Sequence, residues 1–506
     1  MTLNPIFWLH ARINGRKRSM VLIPVIYAGV VILFATLSFR VADAKRDYPQ
    51  LYSTWLMFMT AAQGLFLLIV APSLIRRSVQ RDFDSGMMES HRLSPMSNLR
   101  IVLGYLTGAP MQALLLCGVS ALLGSYFATQ LGMLPGMGGR IGLGVTMLGW
   151  GTALASMLVL SAAVCAAVLL VAIATGGKTN VGLLILVGVF GGWFAVLFVP
   201  GLALLTGVFS GGTVFNLLTK PTATGNPAVI FSAAALQFVY FLIFVAACCG
   251  KLRHPERALL SLRLGTILLV TWGLTLVAGM AVVGSFSGMF PPLEDIGWAQ
   301  VLASTAAFML VALLPLIAAA TDARAADTAS AINRTRSGRA TVLRLVPFLL
   351  ALTTVGCMLL MRLFVVRWLA KLPPVELAAG LIASLVASAL FFWTAFCFCY
   401  SLAALSIRMR VWVPLVVGAQ LAGPLALESL ARFVVHEMGN GHWPDAGYLA
   451  AMSPIGTFWT ASYGSLVACG IGLVVQAAGA AIATVWARRI RRGLSLLSVP
   501  RARAIG

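Results

Sequence analysis

Charge is what this sequence has least of. Aspartate and glutamate together number 14 in 506 residues, and charged residues of all kinds make up 10%, against about a quarter in ordinary globular domains. With 60% hydrophobic residues and a mean hydropathy of +0.95, a soluble fold is excluded. Short alternating segments are missing too. Runs such as Val21–Phe39 do not alternate, which rules out a transmembrane barrel.

Other absences narrow the chemistry. No cysteine lies in an outer loop: Cys117, Cys165, Cys248, Cys249, Cys357, Cys397, Cys399 and Cys469 all sit in apolar runs. They read as small buried hydrophobes, and a disulfide framework is not expected. A phosphate-binding loop is also lacking. Thr175-Gly-Gly-Lys178-Thr179 has Ala172 where the first glycine of that pattern belongs, and a membrane helix where a strand should precede it. His436-Glu437 and His442, followed by Asp445, are the one cluster of metal-ligand residue types. Their histidines are six positions apart, not the four that put two imidazoles on one helix face, so a polar outer loop is the reading. Away from span ends, the apolar runs hold a single carboxylate, Glu428, with Arg432 four positions on as a local partner. That scarcity counts against an ion-coupled transporter. The chain is expected not to be an enzyme and to carry no cofactor of its own.

What is present is a series of runs near the roughly 20 residues needed to cross about 30 Å of hydrocarbon. They read as twelve spans. The first six are Val21–Phe39, Trp55–Ile75, Ile101–Phe127, Ile141–Ala174, Val181–Phe209 and Val229–Gly250. The second six are Leu264–Phe286, Trp298–Ala320, Leu345–Leu360, Ala378–Leu405, Val411–Leu430 and Ser462–Ala487. The net charge of +22 is spread over many short loops, so orientation bias explains it better than a nucleic-acid partner does. With the N-terminus inside, 27 of the 36 basic residues fall on the inner side and 9 on the outer side, as the positive-inside rule requires.

The expected fold class is therefore an all-α polytopic membrane protein, with two six-helix halves in one orientation and both termini cytoplasmic. Its expected parts are a cytoplasmic amphipathic helix (1–19), a first half (20–250), a basic linker (251–263), a second half (264–487) and a basic tail (488–506). Thr321–Arg344 follows the second span of its half as Arg76–Arg100 follows the second span of the first. No sequence identity links the two segments.

Arg76–Arg100 is the strongest charged interruption in the first half. Arg76 to Arg92 alone holds four arginines, two aspartates and one glutamate. At roughly 3 kcal/mol per mid-membrane charge, burying them in lipid would cost about 20 kcal/mol. The segment must therefore lie in water or on a partner. It reads as a short amphipathic helix along the inner surface that exposes Arg81, Asp84 and Glu89. Asp82, Asp84 and Ser85 offer N-cap chemistry, and Ser94-Pro95 ends the helix.

The order Asp82, Asp84, Ser85-Gly86, Glu89, Ser94-Pro95-Met96-Ser97 and Ile101-Val102-Leu103-Gly104 resembles the permease subunits of type 2 ATP-binding-cassette (ABC) exporters. Asn4-Pro5 followed by Arg12 and Arg16-Lys17-Arg18 is similar to that family's elbow helix. The resemblance covers about residues 1–125. It departs at Asp82, where glutamate is usual, at Met87 for threonine and at Tyr105 for lysine. It implies an exporter permease of the plasma (inner) membrane of a bacterium. A separate cytoplasmic ABC ATPase, acting as a dimer and carrying ATP and Mg, would dock on Arg81, Asp82, Asp84, Ser85, Gly86, Glu89, Ser94 and Pro95. The lipid bilayer and a second permease chain are the remaining partners that the resemblance allows. The second half is either a divergent permease half or an unrelated six-span extension. Outside the resemblance, the same spans suit a non-ABC membrane transporter or a membrane scaffold or assembly protein. The substrate is not legible.

Overall fold

The computed structural model describes residues 4–14, 17–41, 48–133, 143–177, 227–255, 259–285, 294–333, 338–366, 374–404 and 465–497, with short pieces between 420 and 460. Its regular structure is helical throughout, and no strand occurs among the described residues. That follows from the composition. In hydrocarbon each backbone N–H and C=O must be satisfied within its own segment, and a helix does this. Among the described residues ten helices are long and apolar enough to cross a membrane, so the chain is an all-α multi-pass membrane protein. They coincide with ten of the twelve expected spans. The other two, Val181–Phe209 and Val411–Leu430, lie wholly or mostly outside the described residues.

The chain divides into two compact units, Met1–Leu259 and Leu260–Gly506. The division falls inside the basic segment 251–263.

The first unit contains α1 (Pro5–Asn14), α2 (Lys17–Val41), α3 (Tyr48–Leu65), α4 (Ala71–Asp84), α5 (Met87–Leu93), α6 (Asn98–Gly108), α7 (Met111–Met133), α8 (Leu143–Thr175) and α9 (Pro227–Arg253). One π-helical turn, Phe66–Val70, joins α3 to α4 without a break. Ser161 Oγ on α8 donates to the Leu67 carbonyl at 2.8 Å, satisfying a backbone oxygen at that turn. The expected span Ile101–Phe127 is instead two helices. Pro110 has no N–H to give to the ladder, and the chain turns at Ala109-Pro110. Val31, Ala35, Leu56, Met59, Phe127, Ala128, Leu131 and Trp150 form a buried cluster that ties α2, α3, α7 and α8 together. The opposite face of α2 exposes Val21, Leu22, Val25, Leu33, Phe34 and Leu37, an apolar surface suited to lipid.

The second unit contains α10 (Leu262–Ser285), α11 (Glu294–Asn333), α12 (Gly338–Leu343), α13 (Val346–Val366), α14 (Pro374–Ala404) and α15 (Leu466–Leu497). The expected span Trp298–Ala320 is too short. Helix α11 has 40 residues, about 60 Å at 1.5 Å per residue, so it outruns the bilayer. Its extension, Ala-Thr-Asp-Ala-Arg-Ala-Ala-Asp from Ala320 to Asp327, is rich in alanine, the best helix former. Thr321–Asn333 is accordingly helix and not loop. Trp393 Nε1 donates to Thr484 Oγ1 at 2.8 Å, pinning α14 to α15. Gln476 Nε2 donates to Thr457 Oγ1 at 2.9 Å and to the Ala451 carbonyl at 3.3 Å, holding the 449–460 segment on α15. Glu428 is buried, and its carboxylate accepts from the Leu449 amide at 3.1 Å. Its expected partner Arg432 lies outside the described residues, as do His436, Glu437, His442 and Asp445. All eight cysteines are free thiols.

Candidate partner-docking site

The charged segment of the first unit is a helix–turn–helix at the end of the second membrane helix. Helix α4 carries an apolar stripe, with Ala71, Ile75 and Val79 buried at intervals of four, the spacing of one helix face. Asp82 continues this stripe three residues on and is buried, 2% exposed. Asp84, two residues further, faces out with Arg81. The helix then stops. The Ser85 amide returns to the Arg81 carbonyl at 2.9 Å and the Gly86 amide to the Phe83 carbonyl at 3.2 Å. Gly86 has φ of 72°, a left-handed turn that a side chain would strain.

Helix α5 starts directly from Gly86, and no side chain caps it. The expected N-cap chemistry of Asp82, Asp84 and Ser85 is therefore corrected. Asp82 is turned inward, and Ser85 Oγ donates back to the Asp82 carbonyl at 3.4 Å. Arg92 lies over the Phe83 ring, 5.9 Å from its centroid, and pairs with Glu89 Oε1 at 2.5 Å. Ser94, extended at φ −70° and ψ 150°, closes α5, and Ser97 Oγ caps α6 by accepting from the Arg100 amide at 3.4 Å. Of the eight residues anticipated for docking, Arg81, Asp84, Ser85, Gly86, Glu89 and Pro95 are exposed, Ser94 is half-buried and Asp82 is buried. Leu93 adds an apolar side chain, 86% exposed, to the same turn.

Asp82 is the anchor that fixes this turn. The Tyr105 hydroxyl on α6 donates to Asp82 Oδ2. His10 Nε2 on α1 lies 3.3 Å and His91 Nε2 on α5 3.7 Å from the same oxygen. The two imidazoles stand at ion-pair distance and not in aligned hydrogen bonds. The His10 ring packs at a tilt of 38° against Tyr105, 4.5 Å between centroids. One carboxylate thus holds four helices: α1, α4, α5 and α6. Burial and the neighbouring Asp82 push the Tyr105 phenol far above its usual range, so it stays a donor at any physiological pH.

Two further contacts lock the assembly. Arg76 Nε donates to the Gly177 carbonyl at 3.2 Å, and Asn98 Nδ2 to the Cys249 carbonyl at 3.3 Å. The first explains Gly176-Gly177, whose φ values are 63° and 71°. A Cβ on Gly177 would lie 2.6 Å from the Gln80 Cα, so the glycine lets the end of α8 close onto α4.

Sequence reasoning missed His10, His91 and Tyr105. The signal for Asp82 was there, in its register with Ile75 and Val79. Nothing local to His10 says that it meets Asp82 so far along the chain, whereas His91 lies only across the turn from it.

The second unit has a buried carboxylate at the corresponding point of its order. Asp327, 9% exposed, sits in the extension of α11. The Tyr400 hydroxyl donates to it at 2.9 Å, Arg344 binds both its oxygens at 2.7 and 2.9 Å, and Arg491 reaches it at 3.5 Å. The partners differ from those of Asp82: here the tyrosine comes from α14 and two arginines replace the two histidines. Asp82 and Asp327 both lie beyond the expected spans, within which Glu428 is the single carboxylate. Comparison with family models, with characterised proteins and with solved structures finds no match.

Proposed function

We propose that this chain is the membrane-spanning permease of an ABC transporter, driven by a separate ATPase and exporting its substrate across the plasma membrane. The observation that carries the reading is the exposed turn Arg81–Pro95, built on the end of a membrane helix and held by a buried carboxylate. A flexible loop would absorb a push from a partner. A turn whose base is tied to α1, α4, α5 and α6 passes the push to the helices. ATP and Mg belong to the docked ATPase in this reading, and no residue of this chain takes part in hydrolysis. Asp84, Glu89 and Arg81 offer charged contacts, and Leu93 offers an apolar one. Transport follows if the ATPase binds two arrangements of the spans with different affinity.

The test is the double change Asp84→Lys with Glu89→Lys, at two exposed positions. Reversing charge across an interface costs several kcal/mol. The amount of ATPase subunit co-purifying with the full chain is expected to fall by at least about ten-fold, equivalent to about 1.4 kcal/mol, with the unfolding midpoint unchanged. Undiminished co-purification would refute the docking assignment.

A further inference from the structure

Helices α1 and α6 cross in close contact. A Cβ on Gly108 would lie 2.7 Å from the Phe7 carbonyl oxygen, and one on Gly104 would lie 2.8 Å from the Ile6 side chain. Beside this crossing the two helices splay into a groove of about 510 Å³, within the roughly 300–1,000 Å³ of small-molecule sites. Its wall on α6 is Arg100, Leu103 and Thr107, which at intervals of three and four share one helix face. Phe7 forms the wall on α1, while Asn4 and Ser97 flank Arg100. Asn4 Nδ2 donates to the Arg100 carbonyl at 2.6 Å, which fixes the α1 end of the groove.

Polarity in this groove is concentrated at Arg100: Leu99, Leu103 and Phe7 are apolar, and the Thr107 hydroxyl is taken up by the Leu103 carbonyl at 2.7 Å. Among the described residues Arg100 is the only charged one lining it, and no carboxylate lines it. From Arg100 the wall becomes apolar at Leu103 and Phe7, and α6 leads on into the membrane span α7. Trp8, 55% exposed, stands next to Phe7, and indole rings favour the headgroup level of a bilayer. A cation at the water side followed by an apolar channel toward the hydrocarbon complements one phosphodiester and the chain attached to it.

We propose that this groove binds one glycerophospholipid of the surrounding bilayer, with its phosphate on Arg100 and an acyl chain along Leu103 and Phe7. The bound lipid bridges α1 and α6, the two helices that also carry His10 and Tyr105. The proposal rests on the membrane-spanning character of the chain and not on the ATPase reading, so either can fail without the other.

The test uses the full chain, delipidated in detergent, with phosphatidylglycerol, phosphatidylcholine or inorganic phosphate added back. Native mass spectrometry counts retained lipid, and the thermal midpoint reports stabilisation. Because the phosphate is the recognised group, both lipids are expected to bind the unaltered chain. Arg100→Glu and, separately, the groove-filling Leu103→Trp are each expected to cut retention about ten-fold. Leu33→Trp, on the exposed face of α2, should leave retention unchanged. Arg100→Lys, which keeps the charge, should retain most of the binding. Equal retention in all variants would overturn the proposal. So would stabilisation by inorganic phosphate equal to that by lipid, which would mark a free-anion site. Should Arg100→Glu fail to fold, Leu103→Trp alone decides, since it blocks the channel without touching the cation.

Discussion

Asp82→Ala is expected to destabilise the first unit by about 3–5 kcal/mol, the cost of removing one member of a buried charged cluster, while Asp84→Ala stays within about 0.5 kcal/mol. The two aspartates are two residues apart in the same acidic pair. Their fates differ because one lies on the buried face of α4, with Ile75 and Val79, and the other on its exposed face. Removing the Asp82 carboxylate strands the Tyr105 hydroxyl and leaves His10 and His91, both buried, facing no anion. Asp82→Asn, which keeps an acceptor for Tyr105 but loses the charge, should fall between the two. Unfolding in detergent, followed by tryptophan fluorescence, measures all three. A silent Asp82→Ala would mean that the cluster does not hold the turn.

Asp327→Ala is expected to destabilise the second unit by roughly 3 kcal/mol, the low end for a broken buried pair. The cost is smaller than at Asp82 because the arginine side chains of Arg344 and Arg491 are 27% and 54% exposed and recover water when the carboxylate leaves. Tyr400 is buried and recovers little. Since Asp327 and Arg344 bind each other directly, adding Arg344→Ala to Asp327→Ala should cost much less than the sum of the single changes. A double-mutant cycle in detergent gives the coupling, and strict additivity would show that the bidentate pair carries no stability. Asp82→Ala and Asp327→Ala in one chain should, by contrast, add, because each acts within its own unit.

How much of this was legible in the sequence follows from what each feature depends on. The spans depend on local composition, so Val21–Phe39 or Val229–Gly250 reads as a membrane helix directly. Helix ends depend on propensity and on single residues. The alanine-rich run Ala320–Ala331 was long enough to continue α11, and Pro110 was enough to split α6 from α7. Both signals were present, but a reading based on hydropathy passes over them. The exposure of Arg81, Asp84 and Glu89 follows from helical periodicity. The burial of Asp82 was legible only by extending the Ile75–Val79 stripe one turn further. What Asp82 meets was not legible at all. His10 and Tyr105 approach it through the packing of α1 and α6, which close-contact glycines at 104 and 108 permit.

The two units share an architectural habit: a carboxylate at the end of the second membrane helix, bound by a tyrosine hydroxyl and faced by basic side chains. They do not share the elements that supply those partners, nor the residue types. The first unit adds an exposed turn beyond its carboxylate, which carries both charged and apolar side chains.

The central claim is that this turn is gripped by an ATPase subunit, and site-specific photo-crosslinking tests it most directly. A photoreactive side chain is placed in turn at Ser85, at Glu89 and, as a buried control, at Val79 (0% exposed). The full chain is then irradiated in its native membrane. The account predicts a light-dependent adduct between this chain and a nucleotide-binding ATPase subunit from Ser85 and Glu89, none from Val79, and a change in yield when ATP and Mg are added. No ATPase adduct from either exposed position, or the same adduct from all three, would contradict it.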